Sequence, residues 1–234
     1  MPDLSPDVML QTSALKREYS IGRETIVALE GIDLAIYKGE FVAIMGPSGS
    51  GKSTLLNLLG GLDQPTSGKV ILDGHDLSQY NEEQLAALRR QKMGFIFQRH
   101  DLFPVLTARE NIEFPMLLNE IPVAKRRARS ERLLNLVGLA DKAESLPEEL
   151  SGGQQQRIGI ARALANAASI LLADEPTGNL DSATSEDIID SLIALKQAHN
   201  LTLIMVTHDA EVAAHADRVL HLQDGHLIKN GSVK

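Results

Sequence analysis

Three short runs of consecutive apolar residues stand out along the chain: Phe41-Val42-Ala43-Ile44-Met45, Ile170 to Ala173, and Leu201 to Val206, broken only by Thr202. Successive side chains of a strand point to opposite faces, so unbroken apolar runs predict parallel strands buried on both sides. The first run stops at glycines and restarts as helical sequence from Thr54 to Gly60; helical stretches separate the others, which gives an α/β core. Ahead of it, Val8 to Ile36 mixes alternating and β-branched stretches with Gly22 and Gly31 as punctuation, and reads as short antiparallel strands. Asn81 to Arg90 and Thr107 to Gly138 read as helices, with Pro104, Pro115, Pro122 and Pro147 breaking them into segments. This middle region is expected to be an inserted helical lobe. No solenoid-length repeat or low-complexity tract is present.

Composition narrows the class. With 234 residues the chain is long enough for its own hydrophobic core, and 43% hydrophobic and 23% charged residues are those of a folded, water-soluble domain. Against 23 Lys and Arg stand 31 Asp and Glu, a formal charge of -8, which argues against broad binding to nucleic acid or anionic lipid. Any anion must be captured locally. No Trp, three Tyr and five Phe leave few stacking platforms for single-stranded nucleic acid. The absence of Cys excludes disulfides, thiol nucleophiles and thiolate metal sites. Met1 to Leu10 lacks the basic start and apolar run of a secretory leader, and no apolar run approaches the roughly 20 residues that cross a bilayer, so no leader or membrane span is expected.

Local anion capture has a ready candidate. Gly46-Pro47-Ser48-Gly49-Ser50-Gly51-Lys52-Ser53 matches G-x-x-x-x-G-K-S where a predicted strand hands over to a helix, the context of a phosphate-binding loop. Glycines let backbone N–H groups turn toward phosphates, and the helix start adds partial positive charge. In such a loop Lys52 neutralises the β- and γ-phosphates and Ser53 ligates Mg²⁺. Asp174 and Glu175 lie just past the second buried strand, where doubly wound sheets collect ligands. Asp174 is suited to holding Mg²⁺ and Glu175 to polarising water as general base. Alone, an acidic pair after an apolar run is common in loops. Leu150-Ser151-Gly152-Gly153-Gln154 is more discriminating, arising by chance about once in a million positions. It reads either as a second phosphate site at a helix start or simply as a good N-cap.

Phosphate loop, pentapeptide and acidic pair, in that order, resemble the ATP-binding cassette family of ATPases, over about Tyr19 to Gly225. The resemblance implies a P-loop NTPase core with a parallel sheet, an N-terminal antiparallel β subdomain and an inserted α-helical subdomain. It makes 8–234 a single domain, with 8–97 and 151–234 as the core and 98–150 as the helical part. It implies that Tyr19 stacks on adenine, that Gly46 to Thr54 hold the phosphates, and that Gln98 contacts Mg²⁺ and the attacking water. Asp181 resembles the loop crossing to a second cassette, and His208 the switch histidine that reaches the γ-phosphate. Each alone has a plain structural reading: strand aromatic, solvated cap, helix N-cap, surface loop residue.

The same resemblance implies ATP and Mg²⁺ as cofactors and head-to-tail pairing with a second cassette, as a homodimer. Lys52 of one chain and Ser151 to Gln154 of the other then grip the same ATP. It also implies a transmembrane permease partner received near Gln98 to Leu118, and a peripheral place on the cytoplasmic face of the inner membrane. Leu59-Gly60-Gly61-Leu62-Asp63 and Pro65-Thr66-Ser67-Gly68 resemble the branch serving lipoprotein-releasing and macrolide-exporting complexes, where ATP also drives mechanical movement outside the membrane. A non-transport membrane complex of the cell-division type, and a nucleic-acid-associated mechanical ATPase, are the alternatives. The basic string Lys125-Arg126-Arg127-Ala128-Arg129 reads as a solvated helix face.

Overall fold

The computed structural model describes residues 7–22, 24–98 and 101–228; the start of the stretch read for a leader, two positions at the beginning of the expected helical lobe and the last residues of the expected domain lie outside them. In chain order the elements run β1 (Val8–Ile21), β2 (Glu24–Tyr37), β3 (Phe41–Met45), α1 (Lys52–Leu59), β4 (Ser67–Leu72), β5 (His75–Asp76), α2 (Glu82–Lys92) and β6 (Met93–Ile96). They continue with α3 (Ala108–Leu118), α4 (Val123–Leu136), α5 (Gly152–Ala163), β7 (Ile170–Asp174), α6 (Ser182–His199), β8 (Thr202–Val206), α7 (Ala210–Ala214), β9 (Arg218–Gln223) and β10 (His226–Ile228). They form two compact units, one of Met1–Ala87 with Thr202–Lys234 and one of Leu88–Leu201.

In the first unit β3 lies between β8 and β9, parallel to both, with Ile44 level with Val206 and with Leu220. Phe41 to Ile44 and the whole of β8 are buried, as consecutive apolar positions require. β9 turns back into β10 through Asp224 and Gly225, both at positive φ, the conformation a two-residue hairpin favours. The four antiparallel strands take the order β2-β1-β4-β5. Instead of several short strands, β1 and β2 are one ribbon of 14 residues each. Gly31, at φ 67°, falls where Leu15 pairs with Ile32 but Arg17 with Leu29, leaving an extra residue on β2; it is a bulge rather than a strand end. Ala14, at φ 43°, bulges β1 where Thr12 pairs with Leu34 and Leu15 with Ile32. That bulge explains Gly68: a Cβ there would sit 2.3 Å from the Ala14 carbonyl oxygen.

In the second unit β6 and β7 are parallel, Met93 beside Ile170 and Ile96 beside Ala173. A Cβ on Gly94 would meet the Ala163 carbonyl oxygen at 2.4 Å, so only glycine admits the end of α5 against β6. Helix α3 opens on a capping box between Thr107 and Glu110. Buried Asn111 donates to the carbonyls of Phe103, Leu106 and Thr107 and accepts from the Phe103 amide, which fastens the preceding loop. Pro115 does not end a helix as expected but sits inside α3, where it forfeits one helical bond. The basic string is only partly solvated. Arg126 donates to the Ile121 carbonyl at 2.7 Å, and Arg129 holds the carbonyls of Leu164 and Ala165 at the end of α5. Among the described residues no helix is long and apolar enough to cross a membrane.

Candidate functional site

The loop Gly46–Gly51 leaves the carboxyl end of β3 and enters α1 through Gly51, whose φ of 100° no side chain adopts easily. Its glycines answer first to the protein's own backbone. A Cβ on Gly46 would meet the Leu222 carbonyl oxygen at 2.0 Å, and one on Gly51 the Ala28 carbonyl oxygen at 2.5 Å. Pro47, Ser48 and Gly49 are exposed, while the Ser50 hydroxyl is buried and makes no hydrogen bond. Lys52 is only 8% exposed, its ammonium donating to the carbonyls of Gly46 at 2.9 Å and Pro47 at 2.8 Å. Ser53, which is exposed, and Thr54 follow in the first turn of α1, beside amides that have no helical acceptor.

Two further predicted residues belong to the same unit. Thr207 donates its amide to the Ile44 carbonyl at 3.2 Å, which sets exposed His208 at the strand ends from which the Gly46 loop also departs. The next residue, Asp209, caps α7. Tyr19, on β1, is half-buried: its hydroxyl donates to Asp63 at 2.8 Å, and the Arg17 guanidinium lies 4.5 Å from its ring centroid. Arg17 also pairs with the other Asp63 oxygen at 2.8 Å. The sequence points to Tyr19 alone; no signal in it links Tyr19 to Asp63, 44 positions away.

In the second unit Asp174 is the last residue of β7, and Glu175 follows at φ 45°, an uncommon conformation for a residue with a Cβ and one that concentrates at functional sites. Gly178 brings two predicted residues together. A Cβ placed on it would stand 3.0 Å from the Gln98 amide nitrogen and 3.3 Å from a Glu175 carboxylate oxygen. The Gln98 segment is held from behind, Asn179 donating to the Gln98 carbonyl at 3.2 Å and buried Gln156 to the Phe97 carbonyl. In the sequence Gly178, Asn179 and Gln156 stand out only as parts of motif strings.

Ser151 caps α5: its hydroxyl accepts from the Gln154 amide at 3.3 Å, and the Gln154 side chain accepts from the Ser151 amide at 2.9 Å. Ser151 and Gly152 are exposed. Gly153 is small for another reason, since a Cβ would meet Thr184 Cγ2 at 2.5 Å. Asp181 caps α6, accepting from the Thr184 hydroxyl at 2.7 Å and its amide at 3.0 Å, and these bonds hold its carboxyl below the usual carboxylate range. Among the described residues no group of three or more His, Cys, Asp or Glu side chains is assembled to hold a metal. Ser53, Gln98 and Asp174 offer one hydroxyl, one amide and one carboxylate. That all-oxygen set fits Mg²⁺, which habitually completes its shell with water and substrate phosphates.

Against known proteins, residues 29–178 match the family described as ABC transporter. The chain is 47% identical over 225 residues to the lipoprotein-releasing system ATP-binding protein LolD of Pseudomonas fluorescens, covering 96% of this chain and 99% of that one. It is 47% identical over 228 residues to the macrolide export ATP-binding/permease protein MacB of Marinobacter nauticus, covering 97% of this chain but 35% of that one. Among solved structures, the dimeric ABC transporter cassette MJ0796 matches with a TM-score of 0.88 at 44% identity, over 94% of this chain and 97% of that one. A second structure of the MJ0796 dimer, in a post-hydrolysis state bound to ADP and Pi, matches equally well.

Proposed function

The chain belongs to the ABC transporter family as an ATP-binding ATPase subunit, and from that premise we propose that it works as a head-to-tail pair that hydrolyses ATP to drive a permease partner. Lys52 and the Gly46–Gly51 amides bind the β- and γ-phosphates, with Ser53 and Thr54 at the start of α1. Tyr19 stacks on the base. Glu175 takes a proton from the attacking water, Gln98 orients that water, and His208 contacts the γ-phosphate. Ser53, Gln98 and Asp174 hold Mg²⁺, which when bound neutralises phosphate charge. Ser151 to Gln154 present the start of α5 to the ATP of the partner subunit, with Asp181 bordering the same seam.

The observation that carries the hydrolytic part is the convergence of Gln98 and Glu175 on Gly178: the Gln98 amide nitrogen and a Glu175 carboxylate oxygen lie 3.0 and 3.3 Å from the place a Cβ there would take, which supports their acting on one water. The names of the LolD and MacB relatives favour an exporting or lipoprotein-releasing complex, with this chain peripheral on the cytoplasmic face of the inner membrane. MacB couples ATP-binding and permease functions in one protein, which supports a permease as the partner here. Within the domain 8–234, we assign 98–150 to a helical subdomain facing that partner and 8–97 with 151–234 to the core.

Mixing chains tests the split site. A Lys52→Ala chain lacks the loop cation, and a Ser151→Arg chain puts bulk where amides must approach phosphate, so each homodimer has both sites damaged. In the mixed dimer one site carries both lesions and the other neither. ATPase activity should return in part, with an ATP-dependent crosslink between the loops of different chains. Neither activity nor crosslink on mixing would overturn head-to-tail pairing.

A further inference from the structure

Away from the nucleotide motifs, the second unit contains a cavity of about 420 Å³ beside the final turns of α4 and α6 and the residues that follow α5. Its size is that of a small-molecule site. Leu133, Leu164 and Leu201 line it and are almost wholly buried, whereas Leu136, also in the lining, is 49% exposed. All the ionisable groups of the lining are basic: Arg129, Arg132 and His199. In a chain with a formal charge of -8 this is a local inversion of sign. We propose that the cavity binds a single-chain anionic amphiphile, its carboxylate or phosphate head against Arg132 and His199 and its alkyl tail along the leucines.

Helix chemistry accounts for part of this basic lining. Arg129 is spent on the Leu164 and Ala165 carbonyls, and His199 lies in the last turn of α6, where a cation meets the negative end of the helix dipole. Arg132 is not explained in that way, because its hydrogen bond goes to Ala128 one turn back in its own helix. Among the described residues neither Arg129 nor Arg132 is paired with a carboxylate. The two guanidiniums instead face each other's charge: burial pushes Arg129 below its ordinary value, and Arg132 lowers it further. An anionic head removes that repulsion, and a tail covers apolar surface that water now touches at Leu136.

The test is calorimetric titration of the full chain with decanoate and with decyl phosphate, both below their micellar concentrations, and with decanol and inorganic phosphate as controls. Both anionic amphiphiles should bind saturably at one site per chain, decanol and inorganic phosphate at least about tenfold more weakly. Arg132→Gln with His199→Gln should weaken the anionic amphiphiles by at least about tenfold, with basal ATPase activity unchanged as the control for folding. Equal binding of decanol, or affinity that survives both substitutions, would overturn the proposal, as would no saturable binding. Co-sedimentation with phosphatidylglycerol vesicles separates the sources. Retention on vesicles that the double substitution abolishes would assign the site to a two-chain bilayer lipid and overturn the single-chain assignment, whereas binding of the free amphiphile alone supports it.

Discussion

The methyl group of Thr184, on α6, fills the place where a side chain on Gly153, at the start of α5, would begin: Cγ2 lies 2.5 Å from that position. The threonine is not free to turn aside, because its hydroxyl donates to Asp181 at 2.7 Å. One side chain thus fixes the start of two helices that both carry proposed nucleotide residues.

Substitution at Gly153 sets two effects of opposite sign against each other. Alanine gains up to about 1 kcal/mol in helix propensity, while overpacking against a held methyl costs about 1–3 kcal/mol. Gly153→Ala should therefore melt at a lower temperature than the parent. Adding Thr184→Ser removes the methyl and keeps the hydroxyl, so the double variant should regain the parent's melting temperature or exceed it. A single variant as stable as the parent would contradict the contact.

Asp63 serves Tyr19 and Arg17 at once, one carboxylate oxygen to each. Asp63→Ala releases both, whereas Asp63→Asn keeps an acceptor for the tyrosine and loses the charge for the arginine. If Tyr19 stacks on adenine, KM for ATP should rise a few-fold, about 1 kcal/mol, in the order Ala above Asn, with kcat unchanged. Steady-state kinetics decide; a fall in kcat at constant KM would assign Asp63 another role.

Glu175→Gln preserves shape but cannot accept a proton. Nucleotide binding should persist while hydrolysis falls by about 100-fold or more, and light scattering with ATP and Mg²⁺ should show a dimer. A variant that stays monomeric, or that hydrolyses at the parent rate, would count against the general-base assignment.

The Asp181 carboxyl is depressed from its ordinary value of 3.8, chiefly by the Thr184 hydroxyl and then by the Thr184 amide. A depressed folded value means that the cap stabilises α6 fully above pH 3.8, and that this is lost as pH falls through the lower folded value. Thr184→Ala should move the Asp181 titration, followed by carboxyl-carbon NMR, up toward 3.8. An unmoved titration would show that Thr184 does not hold the carboxylate.

Features written in contiguous residues are legible from the amino-acid sequence alone: the buried strands Phe41 to Met45 and Ile170 to Ala173, the Gly46 to Ser53 loop between strand and helix, and the cap at Ser151. In each, the chemistry lies within one strand or turn, so side-chain period and spacing suffice. What the tertiary structure decided involves partners far apart in the chain. Gly31 reads as the end of a strand and is a bulge, because pairing with β1 carries the ribbon through it. Pro115 reads as a helix break and stays inside α3, where Asn166 donates to its carbonyl. Arg126 and Arg129 read as a solvated face and are half committed to carbonyls of other segments. Glycines 46, 68, 94 and 153 are small because carbonyls or a methyl from remote segments press against them. A single sequence carries no record of which distant atoms those will be, since close packing is settled only when the elements meet.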